Sequence, residues 1–192
     1  MRVLAAVLIV LEITTVSIGC SCRREHFQDE FCTSKFVLQI FPIQKLASGP
    51  IERTYRVLVL EVFKDVSGEV QQWSIKDLVT PSSSAACGIT LTLFTRYTVK
   101  GSIDAKGRLT VYSCNNLDRS FTSIDECTRA LMDGTFGHDS DRRGYDCSCR
   151  VTFCAQQNCP PPDPNECAWN PPYNGTNHCQ RDSNGQCTWE DC

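Results

Sequence analysis

At Gly19-Cys20-Ser21-Cys22 an apolar leader gives way to a closely spaced cysteine pair, and the chain is organised around that point. Arg2 supplies a positive n-region, Val3 to Leu11 an apolar run, and Ser17 and Gly19 the small residues of an A-x-A-like cleavage site. Cleavage there makes Cys20 the first residue of the mature chain. Its free amine and its carbonyl, rather than any side chain, are then the groups with chemistry to offer. A small residue before cysteine also fits a bacterial lipoprotein signal, in which Cys20 would be acylated. Against that, the usual leucine three residues upstream is Ser17, and many further cysteines follow.

Enzymatic signatures are missing elsewhere. His26, His138 and His178 are far apart, with no H-E-x-x-H pattern or nucleophile elbow, so each reads as a surface or packing residue. Asp133, Asp139, Ser140 and Asp141 lack the spacing and closing glutamate of a calcium loop and read as a solvated segment. Arg142-Arg143 is a dibasic pair of the kind that occurs by chance.

All 14 cysteines lie at or after position 20, a dense and even set that reads as a disulfide framework in an oxidising compartment. The leader argues against the alternative use of such spacings, cytosolic zinc binding. The apolar run is shorter than the ~20 residues a spanning helix needs, so secretion without a membrane anchor is expected. Net charge is −3 with scattered basic residues, which points away from nucleic acid and anionic membranes.

The elements that must position Cys20 read as follows. A short helix is expected before Cys32, then strands at Lys35 to Ile40, Thr54 to Phe63, Gln72 to Val79, Ile89 to Val99 and Arg108 to Ser113. Asp65-Val66-Ser67-Gly68 and Asp104-Ala105-Lys106-Gly107 read as turns, and Thr80 to Ala86 as the loop that delivers Cys87. In Thr54 to Phe63, Tyr55, Val57, Val59 and Phe63 share one face and Leu58, Leu60 and Val62 the other, which suits a strand buried on both sides. Five short strands in about a hundred residues suggest a small barrel or sandwich. Ser123 and Glu126 form a capping box for a helix carrying Ile124, Cys127 and Leu131 on one face, with Gly134 as its stop. From Cys147 onward apolar residues thin out among cysteines and prolines, so that segment must be stapled rather than packed. The boundaries expected are a leader over 1–19, a first domain over 20–146 and a second over 147–192. Asn174-Gly175-Thr176 is a glycosylation sequon.

The cysteine order carries a resemblance over the whole mature chain. Cys20-Ser21-Cys22, His26, Gln28, Phe31-Cys32-Thr33-Ser34, Cys87-Gly88, Gly101 and Gly107 to Cys114 resemble the tissue inhibitors of metalloproteinases. Cys147, Cys149, Cys154, Cys159, Cys167-Ala168-Trp169, Cys179 and Cys187-Thr188-Trp189 resemble the second domain of that family. The resemblance implies a mainly β fold: a five-stranded OB-type Greek-key barrel of the netrin-like kind with flanking helices, plus a small disulfide-rich C-terminal domain. It implies the pairings Cys20–Cys87, Cys22–Cys114, Cys32–Cys147, Cys149–Cys187, Cys154–Cys159 and Cys167–Cys179. Cys127 and Cys192 have no counterpart in the pattern and, being left over, are expected to pair with each other.

The resemblance further implies a secreted, non-catalytic inhibitor with no cofactor of its own, binding zinc metalloproteinases one to one as a monomer. A catalytic zinc keeps one position open for water. The amine and carbonyl of Cys20 would close a five-membered ring on the partner's zinc and displace that water. Ser21 would enter the first primed pocket, Cys22 and Arg23 would continue along the cleft, and Ser84, Ala85 and Ala86 would flank it through Cys87. Departures from the family pattern fall at Arg24 and Phe27, where prolines are usual, and at Lys35 and Gln39-Ile40-Phe41. They bear on edge stiffness and protease preference rather than on the chelate. A different class of function, a netrin-like matrix or receptor-binding module without inhibition, is opposed by Cys-x-Cys standing at the cleavage point. An OB-fold nucleic-acid binder is opposed by charge and secretion.

Overall fold

The computed structural model describes residues 19–22, 25–115, 124–135, 144–154, 161–169 and 177–191 of the 192-residue chain. Its centre is a closed barrel of five strands: β1 (Phe36–Ser48), β2 (Glu52–Asp65), β3 (Ile75–Pro81), β4 (Tyr97–Ile103) and β5 (Leu109–Thr110). They follow the order β1-β2-β3-β5-β4, with β4 closing on β1, the arrangement of an OB-type barrel. Within the barrel only β3 and β5 run parallel. Phe36, Leu38, Ile40, Tyr55, Val57, Val59, Leu78, Val99 and Leu109 fill the interior.

The long second strand is not uniformly two-faced. Tyr55, Val57 and Val59 point inward, but Ile40 pairs with Val59 while Gln39 pairs with Glu61. That bulge inserts one residue and reverses the alternation. Val62 therefore packs against the barrel core, whereas Phe63 turns outward to Phe31, Val37 and Met132. Leu58 and Leu60 are half-buried.

The expected strand from Ile89 begins only at Tyr97. The alternation was real, since Ile89 and Leu91 are core residues. Their amides, however, bond to hydroxyls instead of a strand ladder: Ile89 N–H to Thr80 Oγ1 (3.0 Å), Leu91 N–H to the Tyr55 hydroxyl (3.3 Å) and Thr92 N–H to the Tyr97 hydroxyl (3.0 Å). Side-chain acceptors satisfy the backbone, so inward-outward burial arises without a strand. At the other end, β5 is only two residues long before the chain turns toward Ser113.

Helix α1 (Phe27–Thr33) lies outside the barrel. It starts at His26, whose Nδ1 accepts from Gln28 N–H (3.3 Å), and its last carbonyls, Phe31 and Cys32, accept from Lys64 Nζ at 2.9 and 2.7 Å. Glu30 on this helix bonds Lys100 Nζ of β4 at 2.9 Å, and the Lys100 side chain is 4% exposed. Helix α2 (Glu126–Asp133) is capped by Asp125, which accepts from Thr128 N–H at 2.8 Å; Ser123 of the expected capping box lies outside the described residues. Asp125, two residues after Ser123, fills the N-cap role. Gly134 ends the helix at φ 68°, as its sequence position suggests.

Beyond Cys147 two small sheets form: β6 (Arg150–Phe153) parallel to β7 (Glu166–Trp169), and β8 (His178–Arg181) antiparallel to β9 (Cys187–Glu190). Their core is Val151 with Cys149, Cys167, Cys179 and Cys187, flanked by Trp169 and Trp189. The bridges Cys149–Cys187 and Cys167–Cys179 replace the aliphatic residues that so short a segment lacks. Helix α1 joins this layer to the barrel. Fully buried Gln28 donates to the carbonyls of Asp146 (3.1 Å) and Cys179 (2.7 Å) and accepts from Cys179 N–H (2.7 Å), while Cys32 bonds covalently to Cys147.

His26 is wedged in the same seam, 5.5 Å from the Trp169 ring and 5.2 Å from the Trp189 ring. Burial there lowers its pKa from 6.5 to about 4. The unfolded chain therefore binds the extra proton between those values, and stability is full above pH 6.5 and lost as pH falls toward 4. The loss is on the order of 3 kcal/mol. Urea denaturation across that range should show the decline in the wild type and a flatter profile in His26→Gln; equal slopes would remove His26 as the cause.

Candidate functional site

One end of the barrel brings Gly19–Cys22, Pro81–Gly88 and Ser113–Cys114 together. Cys20 is bonded to Cys87 and Cys22 to Cys114, with Cα separations of 5.0 and 5.1 Å. Ser21 and Cys22 are exposed and Cys20 is half-buried. The segment therefore lies along the surface, fixed from beneath at alternate residues.

The loop that receives Cys20 is held independently. Ser83 caps a single 3-10 turn over Ser84–Ala86, its hydroxyl accepting from Ala85 N–H at 3.1 Å, and the turn ends at Cys87 with φ 62°. That left-handed backbone is rare for a residue with a side chain and turns Cys87 back toward the barrel end. Gly88 follows because nothing larger fits: a Cβ there would overlap the Pro81 carbonyl and lie 2.9 Å from Ser83 O. Arg53 of β2 braces the loop from the side, donating to the carbonyls of Ser82 (2.8 Å) and Ile89 (2.9 Å) and to Thr90 Oγ1 (2.7 Å). Ser84, Ala85 and Ala86 are exposed beside Cys87.

Ser113 completes the floor. Its N–H donates to the Cys87 carbonyl at 2.7 Å, and its hydroxyl lies 3.4 Å from Cys20 Sγ. Neither Ser113 nor Arg53 stood out in the sequence. Ser113 adjoins Cys114, which is the only local hint of it, while Arg53 is one arginine among several until the topology places it under the loop.

The structure thus unites Cys20, Ser21, Cys22, Ser84, Ala85, Ala86 and Cys87. Arg23 and Asn174 lie outside the described residues, as do the leader before Gly19, His138 and residues 139–143. Cys127 and Cys154 are disulfide-bonded, and their expected partners, Cys192 and Cys159, also lie outside them. Cys20, Cys87 and Cys114 offer sulfurs within 4.8 Å of one another, as do Cys149, Cys179 and Cys187. Every one of these sulfurs is in a disulfide, so neither group presents a thiolate to a metal. Among the described residues no helix is long and apolar enough to cross a membrane.

A sequence model of the family described as tissue inhibitor of metalloproteinase matches residues 19–189. The chain is 24% identical to metalloproteinase inhibitor 2 of Oryctolagus cuniculus, over 88% of this chain and 91% of that protein. It is 25% identical to metalloproteinase inhibitor 3 of Xenopus laevis, over 89% and 80%. With metalloproteinase inhibitor 2 of Homo sapiens it shares 22% identity over 98% and 89%.

Proposed function

The chain belongs to the tissue inhibitor of metalloproteinase family, and from that premise we propose that it is a secreted inhibitor of zinc metalloproteinases of the matrix type. The observation that carries the reading is the pinned edge: Cys20 and Cys22 are each disulfide-bonded to the barrel end while Ser21 between them is exposed. A surface segment so held suits a cleft that binds peptides.

In this reading cleavage after Gly19 frees the amine of Cys20. That nitrogen and the Cys20 carbonyl oxygen approach the partner's catalytic zinc and take the position its attacking water needs. No peptide bond precedes Cys20, so nothing is offered for hydrolysis. Ser21 enters the first primed pocket, Cys22 and Arg23 follow the cleft, and Ser84–Ala86 lie alongside, coupled to Cys20 through Cys87. The bracing by Arg53 and Gly88 keeps that second contact in place before binding. Pre-ordering avoids a cost of ~0.5–1.5 kcal/mol for each side chain that would otherwise be immobilised.

The remaining parts of the reading follow from it. Residues 20–146 form the inhibitory domain and 147–192 a stapled second domain, the protein acts as a monomer with one protease per molecule, and Asn174 is open to glycosylation. The chain performs no catalysis and carries no cofactor of its own.

The test is a titration of the oxidised, secreted protein against a matrix metalloproteinase catalytic domain of known active-site concentration. Activity is expected to fall linearly to zero at one equivalent. No inhibition of several such proteases, with the terminus confirmed at Cys20 by mass spectrometry, would overturn the proposal and leave the fold as a binding module.

A further inference from the structure

The two bridges at the exposed edge are in contact with each other. Cys114 Sγ lies 3.4 Å from Cys20 Sγ and 3.7 Å from Cys87 Sγ, and Cys22 Sγ lies 3.9 Å from Cys20 Sγ. Four sulfurs of two disulfides thus form one cluster. We propose that this cluster is a thiol-responsive exchange site, at which a low-molecular-weight thiol such as glutathione moves the bond of Cys20 from Cys87 to Cys114.

The chemistry balances in two displacements. The external thiolate attacks Cys22, the exposed member, forming a mixed disulfide on Cys22 and releasing the Cys114 thiolate. Cys114 then attacks the neighbouring Cys20 sulfur, forming Cys20–Cys114 and expelling the Cys87 thiolate, which takes up a proton from water. One thiol is consumed into the mixed disulfide, the number of disulfide bonds is unchanged, and removal of the thiol allows reversal. Ser113 Oγ, 3.4 Å from Cys20 Sγ, can donate to the sulfur charge as it passes through the cluster.

Access separates this cluster from the other one. Cys149, Cys179 and Cys187 also bring their sulfurs within 4.8 Å of one another, but they are 3%, 0% and 9% exposed. An external thiolate reaches the first group and not the second. The consequence for inhibition rests on the function proposed above: Cys20 tied to Cys114 is no longer coupled to Ser84–Ala86, and the bound edge loses its flanking support.

The experiment reads bonds rather than inhibition. The folded protein is incubated with reduced and oxidised glutathione, quenched in acid, alkylated and mapped by mass spectrometry without reduction. Expected products are a Cys20–Cys114 linked peptide, glutathione on Cys22 and alkylated Cys87, with Cys149–Cys187 and Cys167–Cys179 intact. Retention of Cys20–Cys87 alone, or equal exchange at the buried pairs, overturns the proposal. A Cys22→Ala variant gives the second arm, since it holds Cys114 as a permanent thiol. Its alkylation label should divide between Cys114 and Cys87 with no thiol added; label on Cys114 alone also overturns it. Because no protease is present, failure of the inhibitory reading leaves this result standing, and the converse holds.

Discussion

One alanine added ahead of Cys20, or acetylation of its amine, is expected to weaken inhibition of a matrix metalloproteinase by ~10³-fold or more, about 4 kcal/mol. An amide nitrogen has no lone pair to give a metal, and the added group occupies the space that the zinc would fill. Loss of an outer-shell partner at a metal site costs roughly 10–100-fold, and loss of a direct donor must exceed that. The same dependence predicts a pH signature. In the proposed mechanism the amine would bind only when neutral, and with a reference pKa of ~7.7–8 the affinity should fall about tenfold for each unit below it.

The fold should not notice the change. Residues 19–22 lie at the surface, and both bridges remain available in the extended chain. The measurement is therefore an inhibition constant beside a melting curve for the two proteins. Unchanged inhibition by the extended form would remove the amine from the mechanism. A fall in both quantities would instead point to damaged folding, which the exposure of this edge argues against.

The barrel was legible in the chain because its signals are local. Alternation marked β2, Gly107 marked a turn at φ 74°, and Gly134 marked the stop of α2. The edge itself was legible only through the family resemblance, which implied the Cys20–Cys87 and Cys22–Cys114 bridges; the even cysteine count alone leaves the partners open. What could not be read are the features created by long-range contact. The alternation at Ile89 and Leu91 predicted a strand, yet hydroxyls of Thr80, Tyr55 and Tyr97, brought in from other elements, capture those amides. The phase reversal between Val59 and Phe63 depends on a bulge that only pairing with β1 defines. Arg53 likewise gains its role from a loop that begins twenty-nine residues later, at Ser82.

Lys100→Met is expected to cost roughly 3–5 kcal/mol, the usual penalty for removing one partner of a buried pair. For a chain of this size that lowers Tm by on the order of 10 °C. Glu30 keeps its charge in a seam where burial already raises its pKa and Lys100 opposes that rise, while Glu25 and Asp29 add repulsion. Burial lowers the pKa of Lys100 in turn, so both partners are held charged mainly by each other. Without the lysine, Glu30 relieves the penalty by taking a proton. A carboxyl whose folded pKa is raised is stabilising below its unfolded value and loses that contribution as pH rises through the folded one. The deficit of Lys100→Met should accordingly be largest near neutrality and shrink toward pH 4. Replacing both partners with apolar residues, Glu30→Leu with Lys100→Met, should recover most of the loss, because no lone charge is then left under α1. Denaturant titrations of the single and double variants at two pH values decide the matter. If the double variant is as unstable as the single one, the pair is doing more than neutralising itself, and the attachment of α1 to the barrel depends on the ion pair rather than on Phe31, Val37 and Met132.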